Sequence, residues 1–263
     1  GRGLGLDFGK ENDKQDKSEN RGDNLNNLDE GDDNDAERTR SWEGVWSGNS
    51  NNGTAVGNAT QTTAGKLGKG MSFDGNGDYI NTGAISGYKL GNNLTISLWI
   101  KIKNEQTNSY PYIFALEGST SSNHIALIMI NSSKTPYTQI GNGSTNDYTG
   151  FGALSIDTWY NLVYVFVDNR SHFQYKNGIL VDSDVNIRVP LSENVASSGI
   201  AANPGAWGQN LNCSIDDVII FNRSLSADEI RGLYANTSVK YCYDNETEVM
   251  TREEVEGDSG DYD

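Results

Sequence analysis

Leu94, Ile96, Leu98, Ile100 and Ile102 alternate without a break with Thr95, Ser97, Trp99, Lys101 and Lys103. A period of two puts every apolar side chain on one side of an extended strand, whereas a helix repeats every 3.6 residues. A strand this long with one apolar face must bury that face, so the chain is committed to a sheet packed on a second layer. The face bearing the two lysines is expected to be largely wet. Shorter patterns repeat the signal at Leu4, Leu6 and Phe8, at Met71–Phe73 and Tyr79–Ile80, at Tyr112–Leu116 and at His124–Ile130. Trp159–Val167 is apolar on both faces, as a strand in the middle of a sheet should be. Asn177-Gly178, between Phe173–Lys176 and Ile179–Val181, signals a type I′ hairpin because both central residues take positive φ. Ser214–Phe221 is the last strong strand. Ser226-Ala227-Asp228-Glu229 is a capping box that opens a short terminal helix, with Ile230, Leu233 and Tyr234 on one face.

Strong helix formers are otherwise sparse, while Gly, Asn, Ser, Thr and Tyr are plentiful, so the fold is expected to be all-β with polar turns. A chain of 263 residues buries one substantial core. Residues 10–40 hold almost nothing apolar and cannot contribute to it. The expected organisation is a first strand plus an acidic polar insertion over 1–41, a sandwich over 42–238 and an acidic tail over 239–263.

The net charge of −16 belongs to the ends: residues 1–45 carry 13 acids and 7 bases, and residues 241–263 carry 9 acids and 1 base. Acidity of this kind argues against nucleic acid as a partner. No apolar run is long enough to insert in a membrane. Polar, acidic ends order poorly alone. They are expected to dock on another copy of the chain, making a homo-oligomer, filament or surface layer, and the N-terminal strand is a candidate to pair with a neighbour's sheet edge.

Ten Asn-x-Ser/Thr acceptor sites, at Asn52, Asn58, Asn93, Asn131, Asn142, Asn169, Asn212, Asn222, Asn236 and Asn245, point to an extracellular or cell-surface protein carrying N-linked glycans. That is roughly twice the number expected by chance in a chain rich in Asn, Ser and Thr. In that compartment the two cysteines, Cys213 and Cys242, are expected to form a disulfide that staples the tail.

The stretch Gly68-Lys69-Gly70-Met71-Ser72-Phe73-Asp74-Gly75-Asn76-Gly77-Asp78-Tyr79 resembles the signature loop of laminin G-like, concanavalin A-like domains. Ser214-Ile215-Asp216-Asp217-Val218-Ile219-Ile220-Phe221, continuing through Asn222 to Ile230, resembles the terminal strand and helix of that family. Trp159–Val163 and Tyr175–Val181 fall between them in the family's order. The resemblance spans about residues 42–237 and implies an antiparallel jelly-roll sandwich of two sheets with one short C-terminal helix. It implies no single activity, because such domains serve as lectins, adhesion modules, enzyme appendages and spacers.

A glycoside hydrolase needs two carboxylates flanking the scissile bond, and no Glu-x-Asp-x-x-Glu occurs here. The adjacent pair Asp216-Asp217 points to opposite faces, and the two histidines, His124 and His172, have no Ser or Cys nucleophile nearby in sequence. The chain is therefore expected not to be an enzyme. Asp74, Asn76 and Asp78 offer three oxygens at alternating positions, a pattern suited to structural calcium if Asp216 or Asp217 approaches. The competing possibility is that the same side chains accept backbone N–H bonds and shape a glycine-rich turn. For a glycan ligand, Trp207 in one loop and Tyr148 and Phe151 in another are the rings suited to stack on a sugar. Function divides between a non-catalytic structural or adhesion protein, which the crowd of acceptor sites favours, and a lectin-type module.

Overall fold

The computed structural model describes residues 53–85, 88–103, 108–119, 123–130, 132–142, 144–168, 170–186, 191, 194–204 and 208–238, with the backbone of 4–6, 240–244 and 249–253. The elements in chain order are β1 (Leu4–Leu6), β2 (Thr54–Val56), β3 (Thr60–Gly65), β4 (Gly68–Asp74), β5 (Tyr79–Asn81), β6 (Leu94–Ile102), β7 (Tyr112–Gly118), β8 (Asn123–Ile130), β9 (Thr135–Asn142) and β10 (Asn146–Gly150). They continue with β11 (Trp159–Val167), β12 (Ser171–Lys176), β13 (Ile179–Asp184), β14 (Val195–Ile200), β15 (Asn212–Phe221), α1 (Ala227–Ser238), β16 (Lys240–Asp244) and β17 (Val249–Glu253).

The first sheet runs β13-β12-β11-β6-β15-β4-β3, and β1 also pairs with β15. The second runs β10-β9-β8-β7-β14-β5-β2. All pairings in both sheets are antiparallel. The expected all-β sandwich with one short C-terminal helix is what the chain forms. The alternation at 94–102 becomes β6, in the first sheet between β11 and β15, and its even-numbered residues are fully buried in the core between the sheets. Ile113, Leu116, Ile125, Leu127 and Ile140 reach that core from the second sheet. Asn177 and Gly178 have φ of 52° and 78°, the positive pair expected of the β12–β13 turn. Within the acidic tail, β16 and β17 form a separate two-stranded pair.

The other face of β6 is not wet. Thr95, Ser97 and Trp99 are buried because α1 lies over the outside of the first sheet. Ile230 and Leu233 pack with Val163 and Val165 of β11, Trp99 stacks on Tyr234 at 5.7 Å, and Lys66 Nζ sits 4.7 Å from the Trp99 ring centre. Only the end of that face, at Lys101 and Lys103, keeps part of its exposure. A strand's own sequence gives its two faces, but whether the second is covered depends on an element far away in the chain.

β1 pairs within its own chain, Leu4 with Ile220 and Leu6 with Val218. In this structure it adds to its own chain's first sheet. Cys213 is also unlike the expectation. It is a free thiol, fully buried between the sheets among Phe73, Ile102 and Ile215, so the expected disulfide to Cys242 is not formed at this end. The inward face that β15 gives Cys213 is the same one that buries Ile215, which puts the sulfur in the core. The side chain of Cys242 lies outside the described residues.

Candidate functional site

The Asp74–Asp78 loop is held by its own polar groups. Asp78 is fully buried; its Oδ1 accepts the Asn58 N–H at 2.8 Å and its Oδ2 the Asp74 N–H at 2.7 Å. Asp74 Oδ1 accepts the Asn76 N–H at 2.7 Å. Gly75 and Gly77 take φ of 82° and 83°, which L side chains rarely adopt, and a Cβ on Gly75 would also press on the Asn212 backbone at 3.0 Å. Burial pushes the Asp78 carboxyl up against the pull of its N–H donors, whereas the Asn76 N–H draws Asp74 down.

These bonds take up oxygens that calcium would need. Asp216 does not help, because β15 pairs Asn212 with Asp74, leaving Asp216 four residues, about 13 Å, further along the strand. Its Oδ2 accepts the Leu67 N–H at 2.8 Å, and its Oδ1 accepts the N–H of Asp217, which sits at φ 45° where β15 bulges against β6. Asp74, Asn76, Asp78, Asp216 and Asp217 do not form one cage; they brace two separate turns.

The three aromatic candidates separate as well. Phe151 is fully buried in the core, held there as its N–H donates to Pro136 O at 2.9 Å, so it offers no ring to a ligand. Trp207 lies outside the described residues. Tyr148 is 53% exposed and stands on β10, not in a loop.

Its position follows from the β9–β10 hairpin. Asn142 Oδ1 accepts the N–H groups of Ser144 and Thr145 at 3.1 and 3.0 Å, closing the turn and fixing the register that pairs Tyr148 with Gln139 and Gly150 with Tyr137. Tyr137 is thus the diagonal neighbour of Tyr148 on the outer face of the second sheet, and the rings meet at 5.9 Å, tilted by 55°. The aromatic row continues across the sheet, since Tyr137 pairs with Ile128, and Ile128 with Tyr112 on β7. Tyr110, just before β7, is 51% exposed.

Tyr137 and Tyr148 line a groove of about 430 Å³ together with Thr149, Gly150 and Asp182. Asp182 belongs to β13 of the first sheet, and its Oδ2 accepts the Gly150 N–H at 2.7 Å, which ties the two sheets together at the groove floor. Burial first, and then the neighbouring tyrosines, push the Tyr137 hydroxyl up to about 12, so it remains a protonated donor at neutral pH. The site therefore has one exposed ring and one half-buried ring on its lining, a hydroxyl donor and a fixed carboxylate. Sequence reasoning found Tyr148 but missed Tyr137 and Asp182. The available signal was the Asx-type turn residue Asn142, which folds the two tyrosine-bearing arms onto each other.

Of the acceptor asparagines, Asn58, Asn222 and Asn236 are exposed, and Asn93, Asn142 and Asn212 are half-buried. Asn93 Oδ1 accepts the Asp168 N–H at 2.6 Å. Asn52, Asn131, Asn169 and Asn245 lie outside the described residues.

Residues 74–231 match the laminin G-type family described as the concanavalin A-like lectin/glucanases superfamily. No curated protein sequence matches the chain. Among solved structures, the botulinum neurotoxin serotype G binding domain superposes at a TM-score of 0.60 with 10% identity, over 80% of this chain and 59% of its own. The serotype D ligand binding domain in complex with N-acetylneuraminic acid gives 0.58 with 18% identity, over 73% of this chain and 48% of its own. The HCR/D F1240A mutant gives 0.59 with 16% identity, over 73% and 48%. This chain spans about half the length of these structures, and at such identities the likeness is one of fold. With the family match covering more than half of its residues, the chain belongs to the concanavalin A-like lectin/glucanases superfamily.

Proposed function

We propose that the chain is a non-catalytic carbohydrate-binding domain of an exported, N-glycosylated surface protein. The observation that carries this is the groove at Tyr137 and Tyr148. An apolar sugar face stacks on an aromatic ring while its hydroxyls meet fixed polar groups, and the groove offers both within about 430 Å³. Its one lining carboxylate, Asp182, is committed to the Gly150 N–H, which suits positioning more than acid–base work. Export is supported by exposed acceptors at Asn58, Asn222 and Asn236. At Asn142 the turn's bonds among the described residues use Oδ1, which leaves the amide nitrogen for a glycan.

The test is a glycan array, with sialylated glycans included because a domain of the same fold was crystallised with N-acetylneuraminic acid. Tyr148→Ala should lose at least tenfold in affinity, about 1.4 kcal/mol, at unchanged melting temperature, with bound oligosaccharides recovered intact. Binding indifferent to Tyr148→Ala and Tyr137→Phe would remove the groove from consideration.

A second reading, a self-assembling structural or adhesion subunit, is favoured by β13. This strand ends the first sheet and exposes Ile179, Leu180 and Val181, with Val185 just beyond it. An apolar edge strand is a template for pairing with another chain. Assembly through it should be abolished by Val181→Lys, read by light scattering.

A further inference from the structure

At the edge where β10 of the second sheet meets β12 and β13 of the first, three metal-ligating side chains converge beneath the groove. A carboxylate oxygen of Asp147, a ring nitrogen of His172 and a carboxylate oxygen of Asp184 all lie within 4.8 Å of one another. The topology makes this meeting. His172 pairs with Asp184 across β12 and β13, and Asp147 arrives from the end strand of the opposite sheet.

The histidine is the informative member. It is fully buried, its Nδ1 is engaged by Thr149 Oγ1 at 3.3 Å, and its Nε2 has no hydrogen-bond partner among the described residues. One buried orphan would be a local oddity, but others accompany it. Gln174, two residues along the same face of β12, is fully buried with both amide atoms unpartnered among the described residues, and so are the Tyr164 hydroxyl and Thr138 Oγ1. Tyr164 meets the His172 ring edge-on at 6.0 Å and pairs with Gln174, while Thr138 pairs with Thr149. Buried polar atoms normally find partners, and a group of them gathered at one place marks a polar guest.

We propose that Asp147, His172 and Asp184 bind a divalent first-row transition ion, with zinc as the reference, that clamps the two sheets together at this edge. The donor set selects the ion: calcium takes oxygen ligands, whereas one imidazole with two carboxylates suits zinc or its neighbours. Ligands at about 2.1 Å in a tetrahedron stand about 3.4 Å apart, so a bound ion draws the three groups closer than the 4.8 Å within which they already lie. With Nε2 on the ion, the His172 Nδ1–H donates to Thr149 Oγ1, the second hydrogen bond that metal-bound histidines characteristically make. Asp147 and Asp184 each use Oδ1 to accept a nearby N–H, from Tyr148 at 2.9 Å and Asn186 at 2.7 Å, which steadies both carboxylates. Three protein ligands leave further positions for Gln174, water or a ligand oxygen.

The experiment is titration of chelator-treated full chain with zinc by calorimetry, and with cobalt by visible absorption. Expected are one equivalent of zinc and a cobalt ligand-field band that zinc displaces. Asp147→Asn and Asp184→Asn, at half-buried positions that spare the core, should each weaken zinc at least tenfold, with folding checked by melting. His172→Gln should abolish the cobalt band. No binding, equal binding in both Asp variants, or binding of calcium in place of zinc would overturn the proposal. It stands apart from the glycan reading: Tyr148→Ala, which removes the groove's ring, should still take up one zinc, and a failed glycan array leaves the titration untouched.

Discussion

Tyr148 and Phe151 are three residues apart and have opposite fates, one half in solvent and the other fully buried. Both are aromatic residues in a polar neighbourhood, and nothing in their immediate sequence separates them. The face each takes is decided by the β9–β10 register, which Asn142 sets from the turn. Cys213 teaches the same lesson, because its inward direction follows from the phase of β15 and not from the compartment a cysteine count suggests. Burial pushes its thiol far above its ordinary range. Cys213 should therefore resist alkylation in the native protein and react only at the rate of unfolding, as read by mass spectrometry across a denaturant series. Rapid labelling under native conditions, or a Cys213–Cys242 bridge in non-reducing peptide maps, would contradict this structure.

At the scale of elements, the strands legible in the sequence were those with a strong apolar pattern, β6, β11, the β12–β13 hairpin and β15, with shorter patterns marking β1, β4, β5, β7 and β8. The strands β2, β3, β9, β10 and β14 were not seen, because Thr, Gln, Ser, Asn and Gly fill most of them and pairing to a neighbour, more than apolar period, makes them strands. The helix was legible in detail. Ser226 N–H donates to Glu229 Oε2 at 2.8 Å, the Glu229 N–H returns to Ser226 Oγ at 3.3 Å, and Arg223 pairs with Glu229 at 2.7 Å. Ser226→Ala should cost about 1 kcal/mol in denaturant unfolding. The Arg223 guanidinium, and then the Ser226 N–H, hold Glu229 down at about 2, below its ordinary 4.5. A depressed carboxylate stabilises the fold above its ordinary value, and that contribution drains away as pH falls toward its folded value. Melting temperature should therefore fall more steeply in the parent than in Glu229→Gln from about pH 5 to about 2.

At the scale of the molecule, both sheets share one core, and β1 and α1 both lie on the first of them. β1 runs along the second half of β15 while β4 covers the first half. Deleting residues 1–9 should speed amide exchange at the β1-facing groups of Val218–Ile220 and leave Asn212–Ile215 protected. Uniform exchange along β15 would show that β1 does not hold that edge. The sandwich was legible because apolar period dictates layers. The tyrosine row was not, since it is assembled from β7, β9 and β10 by cross-strand register alone. The helix over the outside of the first sheet gives the molecule a back and a front. The first strand and the final helix both belong to the back, so a scaffold attached through either would hold the domain like a shield by its strap, with the tyrosines facing whatever approaches.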